Sequence, residues 1–161
     1  MNIFDHAMRF EREGEILYRR LAMKTHDSGL KNIFSWLADQ EKRHREIIGK
    51  LKAGRPVSGR GKVNFKRIKR IFKTMKARGE EMEAKPSVVT AYKAALVVEK
   101  RSQVFYATRA RASKNGEERE ILEMLAGEER QHIVVLDNLL DFMAEPTEWV
   151  EDAEFVKLDK G

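Results

Sequence analysis

Four stretches of the chain place apolar side chains at intervals of three and four residues, which is the pattern of amphipathic helices. The stretches run from Phe4 to Ala22, from Leu30 to Leu51, from Tyr92 to Ala110 and from Leu122 to Met143. Glu or His also occurs within each apolar stripe, so these side chains are predicted to point into the core. The pattern predicts an all-α protein with four long helices.

The two halves of the chain repeat one pattern. Residues 37–44 and 125–132 both read Leu-Ala-x-x-Glu-x-x-His, and the offset between them is 88. The same offset relates Glu11 to Glu99, and the separation between this glutamate and the one in the motif is identical in the two halves. We therefore expect a duplicated helical hairpin.

Each hairpin has a predicted turn, at Asp27-Ser28-Gly29 in the first half and at Asn115-Gly116 in the second. We expect Asp or Asn to cap a helix there and glycine to adopt a left-handed backbone. In both halves one core glutamate precedes the turn and another follows it at a similar separation. These separations are about 24 and 21 Å along a helix. All four glutamates therefore lie at one height if the hairpins pack together.

The spacing within each Glu-x-x-His motif places both side chains on one helix face, about one turn apart. Four ionised carboxylates in one apolar layer would repel each other, whereas two divalent cations would balance their charge. Mixed carboxylate and imidazole ligands suit iron, with manganese as the alternative, better than calcium or zinc. The predicted metal-ligating and catalytic residues are Glu11, Glu41, His44, Glu99, Glu129 and His132.

A duplicated structural hairpin, in which buried Glu–His pairs only form hydrogen bonds, is the alternative explanation. It would leave Glu11 and Glu99 in the core without partners, which is costly. Tyr18 and Tyr106 each follow one of these two glutamates by two helical turns. Each tyrosine either forms a hydrogen bond or acts as a radical sink near the site, or it is a core residue whose hydroxyl is satisfied elsewhere.

Other candidate ligands fit the pattern less well. His6 and His26 lack the motif and are expected at the surface. Glu128 is rotated by about 100° from Glu129 on the helix and is also expected at the surface. Glu15 is a poor second choice for a ligand.

The composition excludes several classes of site. The chain has 161 residues, of which 36% are charged, and it has no cysteine. Disulfides, thiolate zinc sites, iron–sulfur clusters and a cysteine-ligated iron domain are therefore excluded for this sequence. It contains no apolar run long enough to cross a membrane and no signal-peptide pattern at its start, so a cytoplasmic protein is expected.

The segment between the hairpins is strongly basic. Residues 47–79 contain twelve Lys or Arg and no acid. We expect a flexible loop from Gly54 to Gly61 and then a short basic helix from about Asn64 to Ala77. So long a connection lets the third long helix run parallel to the second. The apolar stripe of the basic helix most simply covers the bundle, and contact with nucleic acid or another anionic surface is the alternative.

The predicted organisation is a single domain of residues 1–161. It comprises a helical hairpin at 2–53, a basic crossover at 54–86, a second hairpin at 87–145 and a C-terminal tail at 146–161. The tail contains Pro146, Trp149, Phe155 and Val156, which we expect to fold back over the bundle or to pack on a partner subunit.

Together these motifs resemble the rubrerythrin-type members of the ferritin-like di-iron carboxylate proteins, over residues 3–145. The resemblance rests on Glu-Arg-Glu-Gly-Glu-Ile-Leu-Tyr at 11–18, Glu41-x-x-His44, the segment from Glu99 to Tyr106, and Glu129-x-x-His132. It implies a ferritin-like four-helix bundle with one long crossover that contains the short basic helix.

The resemblance also implies ligand roles and an activity. Glu41 and Glu129 would bridge two iron ions, Glu11 and Glu99 would be terminal ligands, and each histidine would complete one iron. The implied function is a di-iron oxidoreductase that reduces peroxide or dioxygen and oxidises Fe(II), in oxidative stress or iron handling. It also implies a homodimer, and without a cysteine-ligated iron domain an external electron donor is needed. The alternative is an iron-storage protein without turnover, in contact with nucleic acid through the basic crossover.

Two features differ from the usual rubrerythrin pattern. The chain has no cysteine for a rubredoxin-type domain that would deliver electrons. Leu96 and Ser102 stand one helical turn before and after Glu99, where an additional carboxylate would be expected. The peroxidase cycle of the family would therefore need a separate reductant here.

Overall fold

A computed structural model of the chain describes residues 2–58, 63–77 and 86–144. Within these residues the chain forms five α-helices and no strand. The helices are α1 (Ile3–Lys24), α2 (Ser28–Lys52), α3 (Lys66–Ala77), α4 (Pro86–Ala112) and α5 (Gly116–Ala144). The predicted all-α class is confirmed, while the tail from residue 146 onward lies outside the described residues.

At both predicted turns a polar side chain caps the beginning of the next helix. Asp27 accepts a hydrogen bond from the Leu30 backbone at 2.8 Å, and Asn115 accepts one from the Glu118 backbone at 3.1 Å. The expected left-handed glycines at these turns are wrong, since among the described residues only Gly54 has a positive φ, of 67°. The glycines at both turns instead lie in the first turn of a helix.

The contacts between helices give their directions. In α1 and α2, Lys52 contacts Asp5 and Arg19 contacts Asp39, so these helices are antiparallel. Between α1 and α4 (their register is given by two tyrosine–glutamate pairs), Tyr106 contacts Glu11 and Tyr18 contacts Glu99. A forward step of two turns in α1 thus corresponds to an equal backward step in α4. Since α1 is antiparallel to both neighbours, α2 and α4 run in the same direction, as expected for one long crossover.

A polar layer divides the core into two apolar clusters. The larger cluster includes Phe34, Leu37 and Phe142, and the smaller one includes Ile48 and Leu125. The core glutamates of all four long helices lie between these clusters in the sequence of each helix. The apolar clusters therefore fix the helices on both sides of the layer, which positions the polar side chains.

The basic helix α3 covers one end of the bundle, as predicted. Its buried side chains Ile68, Phe72 and Met75 belong to the larger apolar cluster, as does Phe65 just before the helix, whose ring lies 5.2 Å from that of Trp36. The helix begins at Lys66 instead of Asn64, and the Asn64 side chain accepts a hydrogen bond from the Lys66 backbone at 2.9 Å just before it. Exposed basic residues on its other face are Lys66, Arg67, Arg70 and Lys73. Among the described residues, no helix is long and apolar enough to cross a membrane.

Candidate metal centre

The four long helices bring all six predicted ligands into one buried layer. The first helix of each hairpin contributes one glutamate, and the second contributes a Glu-x-x-His motif. Each of the six residues is at most 1% exposed: Glu11, Glu41, His44, Glu99, Glu129 and His132. The equal heights expected from the turn distances are therefore found in the structure.

The histidines each face carboxylates of the opposite hairpin through Nδ1. His44 Nδ1 lies 2.7 Å from Glu129 Oε1, and His132 Nδ1 lies 3.2 Å from Glu41 Oε1. Each Nδ1 also lies 3.4 Å from the single glutamate of its own half, Glu11 for His44 and Glu99 for His132. The two imidazole rings are stacked with centroids 5.5 Å apart.

These side chains form two overlapping groups of potential ligand atoms. One group contains Glu11 and His44, the other contains Glu99 and His132, and both contain Glu41 and Glu129. Within each group the ligand atoms lie within 4.8 Å of one another. Two metal positions that share two carboxylates fit this arrangement.

The tyrosines link the two hairpins through the acidic layer. Tyr18 donates to Glu99 Oε1 and Tyr106 donates to Glu11 Oε1, each at 2.5 Å. Of the roles considered for the tyrosines, the hydrogen bond near the site is confirmed, although each bonds to the glutamate of the other half. One argument against a purely structural hairpin is therefore wrong, because Glu11 and Glu99 each have a partner for one oxygen.

Close packing around Glu41 is possible because residue 14 is glycine. A Cβ atom at Gly14 would lie 3.0 Å from Glu41 Oε2 and 3.2 Å from its carboxyl carbon. The repeat places Ser102 at the equivalent position in the second half, where it is 1% exposed. A small residue thus stands at this position in each half, and at Gly14 it leaves room for the Glu41 carboxylate.

Without a cation, the carboxylates do not all ionise readily. Burial, and then repulsion from Glu11 and the other glutamates, raises the pKa values of Glu41 and Glu129 well above the usual range. Burial also acts to raise the pKa values of Glu11 and Glu99, but attraction from the nearest histidine and hydrogen bonds to that histidine and to neighbouring glutamates together lower both. Burial opposes protonation of His44, yet attraction from Glu11 and hydrogen bonds to neighbouring glutamates together raise its pKa well above normal. Protons thus partly balance the charge of the layer.

The residues present fit a pair of metal ions. Glu11 Oε2, Glu99 Oε2 and Glu129 Oε2 are buried without a hydrogen-bond partner among the described residues. Buried carboxylate oxygens without partners are costly, and coordination would satisfy them. Two divalent cations would also replace the protons that balance the four carboxylates. The mixed oxygen and imidazole donors suit iron or manganese.

The expectation for Glu128 is wrong. Glu128 is only 5% exposed, lies 2.9 Å from His44 Nε2 and accepts a hydrogen bond from Arg43 at 2.5 Å. A position about 100° from Glu129 faces the boundary with α2 instead of solvent, since a bundle helix contacts more than one neighbour. Arg43 and Glu128 carry opposite charges, but the sequence does not show that they meet. Their pairing could be identified only from the way α2 packs against α5.

The other side chains considered as ligands lie outside the layer. Glu15 accepts a hydrogen bond from Arg45 at 2.6 Å, and His6 and His26 are exposed as expected. Leu96 is buried in the larger apolar cluster. No additional carboxylate of the described residues therefore joins the two groups of potential ligands.

A four-helix bundle with one crossover, with a glutamate from each of two helices and a Glu-x-x-His motif from each of the other two, defines a ferritin-like carboxylate protein. The family model described as Rubrerythrin matches residues 2–140. The chain therefore belongs to the rubrerythrin family, whose members bind a di-iron centre. Comparisons with curated proteins and with solved structures found no match.

Proposed function

We propose that this protein binds two iron ions in the buried layer and acts as a di-iron oxidoreductase, reducing peroxide or dioxygen while Fe(II) is oxidised. The observation that carries this proposal is the pair of overlapping ligand groups that share Glu41 and Glu129. Family membership adds support, since rubrerythrins generally have di-iron oxidoreductase activity.

The ligand roles follow from which side chains the two groups share. Glu41 and Glu129 would bridge the metal positions, because both occur in both groups. Glu11 with His44 would complete one position, and Glu99 with the second histidine would complete the other. The Nδ1 atoms would be the ligating nitrogens, since they face the carboxylates.

When bound, two Fe(II) ions supply two electrons for reduction of the oxidant. The surrounding residues orient the ligands and keep water away. Tyr18 and Tyr106 fix one oxygen of each terminal glutamate, which leaves the other oxygen for the metal. The apolar clusters on both sides limit access of solvent to the layer.

Electrons for repeated turnover would come from a separate donor, because the chain has no cysteine to hold a redox iron or a disulfide. We propose a single-domain protein of the cytoplasm that forms a homodimer. Manganese is the alternative metal, because the same donor atoms suit it.

The activity is tested by loading metal-free protein with Fe(II) under anaerobic conditions and measuring peroxide consumption with an excess of reductant. The control is Glu41→Gln/Glu129→Gln, which mimics the protonated carboxyls that the metal-free fold favours. Catalytic turnover by the native protein and none by the control is expected. Consumption of peroxide at equal rates by both proteins would contradict the proposal.

Iron storage with contact to nucleic acid is a second candidate, favoured by the exposed basic residues of α3. Oxidation of a limited amount of Fe(II), followed by mineral growth in a large assembly, would support storage. Retardation of DNA in a gel would support nucleic-acid contact if it persists at about 150 mM salt. Retardation that disappears at this salt concentration would indicate only general charge attraction.

A further inference from the structure

The two halves of the site differ just behind the histidines. The repeat offset of 88 pairs every predicted ligand with the same residue type, but it pairs Gln40 with Glu128 and Arg43 with Gln131. The first position changes from amide to carboxylate, and the second from guanidinium to amide. The two halves therefore place different charges next to otherwise equivalent ligands.

Behind His44 there is a complete chain of hydrogen bonds. His44 Nε2 lies 2.9 Å from Glu128 Oε1, and Arg43 donates to the same oxygen at 2.5 Å. Since Nδ1 of His44 faces the carboxylates of the layer, Nε2 carries the proton when Nδ1 is a ligand. His44 would then donate this proton to a buried carboxylate that an arginine holds in place.

Behind His132 this chain is missing. His132 Nε2 is buried and has no hydrogen-bond partner among the described residues, and the same is true of Gln40 Oε1. The His132 ring lies against Trp36, at 5.8 Å between centroids, and an indole has no acceptor nitrogen. No carboxylate of the described residues therefore supports this second imidazole in the way that Glu128 supports the first.

A carboxylate that accepts the outer N–H of an imidazole fixes the tautomer and makes the inner nitrogen a stronger donor to a metal. Loss of such a partner typically lowers metal affinity by about 10- to 100-fold. On this physical ground, resting on the proposed two-metal function, we propose that Glu128, positioned by Arg43, makes the two metal positions unequal. The position served by His44 and Glu11 binds metal more tightly and fills first.

The test is a titration of metal-free full-length protein with Co(II), followed by calorimetry and by visible absorption, and crystals at one Co(II) per chain examined by anomalous scattering. The native protein is expected to bind in two steps with affinities about 10- to 100-fold apart. The first ion is expected beside His44. Glu128→Gln keeps an acceptor but removes the charge, and is expected to weaken the first step while two ions still bind.

The matched gain-of-function variant is Gln40→Glu/Gln131→Arg, which gives the second half the same pair as the first. It is expected to strengthen the weaker step and bring the two affinities together. This variant tests the inference even if Glu128→Gln fails to fold. Equal affinities in the native protein, first occupancy beside His132, or no change in the separation of the steps in folded Glu128→Gln would overturn the inference and leave the two-metal proposal intact. Absence of Co(II) binding by the native protein would overturn both.

Discussion

The two hairpins supply the same residue types to the buried acidic layer, but they differ in the residues that lie behind its histidines. Both supply the same glutamates, histidine and tyrosine to the buried layer, and each tyrosine bonds across to the other hairpin. Behind His44, however, Arg43 and Glu128 form a charged pair. The equivalent positions behind His132 are both occupied by glutamine. The buried acidic layer contains the same residue types in both halves. The residues behind the histidines, in contrast, differ in charge between the halves.

The largest effect is expected from the two shared carboxylates. Glu41→Ala or Glu129→Ala should remove metal from both positions, because each side chain occurs in both ligand groups. Metal content per chain and the visible spectrum after iron loading measure this loss. Glu13→Ala is the control, since Glu13 is on the surface and pairs with Arg101. Normal metal content in either core variant would show that the bridging roles are wrong.

Substitution of one histidine at a time should affect the two metal positions differently. His44→Ala is expected to weaken one metal position and His132→Ala the other, since each histidine occurs in only one ligand group. Stepwise metal titration distinguishes the two positions, and His26→Ala, at an exposed site, is the matched control. Equal weakening of both steps by either core substitution would argue against separate histidine ligation.

The metal-free protein is expected to lose stability as the pH rises above about 4.5, the usual glutamate value. The raised pKa values of Glu41 and Glu129 mean that the folded state holds protons that the unfolded state releases. The raised pKa of His44 acts in the same direction, because its stabilising charge is lost as the pH rises through the folded pKa. Glu11 and Glu99, with lowered pKa values, stabilise fully above their usual values and lose this effect only at lower pH.

Metal should reverse this trend, because its ligands must be deprotonated and it binds only the folded site. Melting temperatures of metal-free and iron-loaded protein between about pH 5 and 8 measure both trends, and the difference between them should grow with pH. A metal-free protein that becomes more stable over this interval would contradict the pKa assignments.

The smallest effect is expected at the glycine beside Glu41. Gly127→Ala, on the open side of α5, should stabilise by about 0.5–1 kcal/mol, the usual helix preference for alanine. Gly14→Ala should not show this gain, because its Cβ would press on the Glu41 carboxyl group at 3.0 Å. Chemical unfolding and metal affinity compare the two variants. Equal stabilisation with unchanged metal affinity would show that the space at Gly14 is not needed.

The sequence was sufficient to predict the long helices and the acidic layer, because the periodicity and the duplicated spacing record which side chains share a face and a height. The burial of Glu128 was not predictable in this way, since it depends on how α2 and α5 pack and on Arg43 across that contact. The hydrogen bonds from each tyrosine to the glutamate of the other half could not be predicted for a similar reason. Spacing along one helix does not give its register with a neighbouring helix.

Turn geometry shows a further limit. Both Asp27 and Asn115 cap helices as expected, yet the glycines beside them lie within helices and need no left-handed backbone. A capping residue followed by glycine thus fits the beginning of a helix as well as the end of one. The sequence marked the turn correctly, but the backbone conformation depended on where the next helix began.

The most direct test is the iron content of protein purified from cells without added metal, measured before and after chelation and reloading, together with the visible spectrum. We expect the reloaded protein to hold two ions per chain, as the two ligand groups require. We also expect the metal to raise the melting temperature. A preparation that binds no iron and melts at the same temperature with and without it would contradict the proposal that cations balance these buried acids.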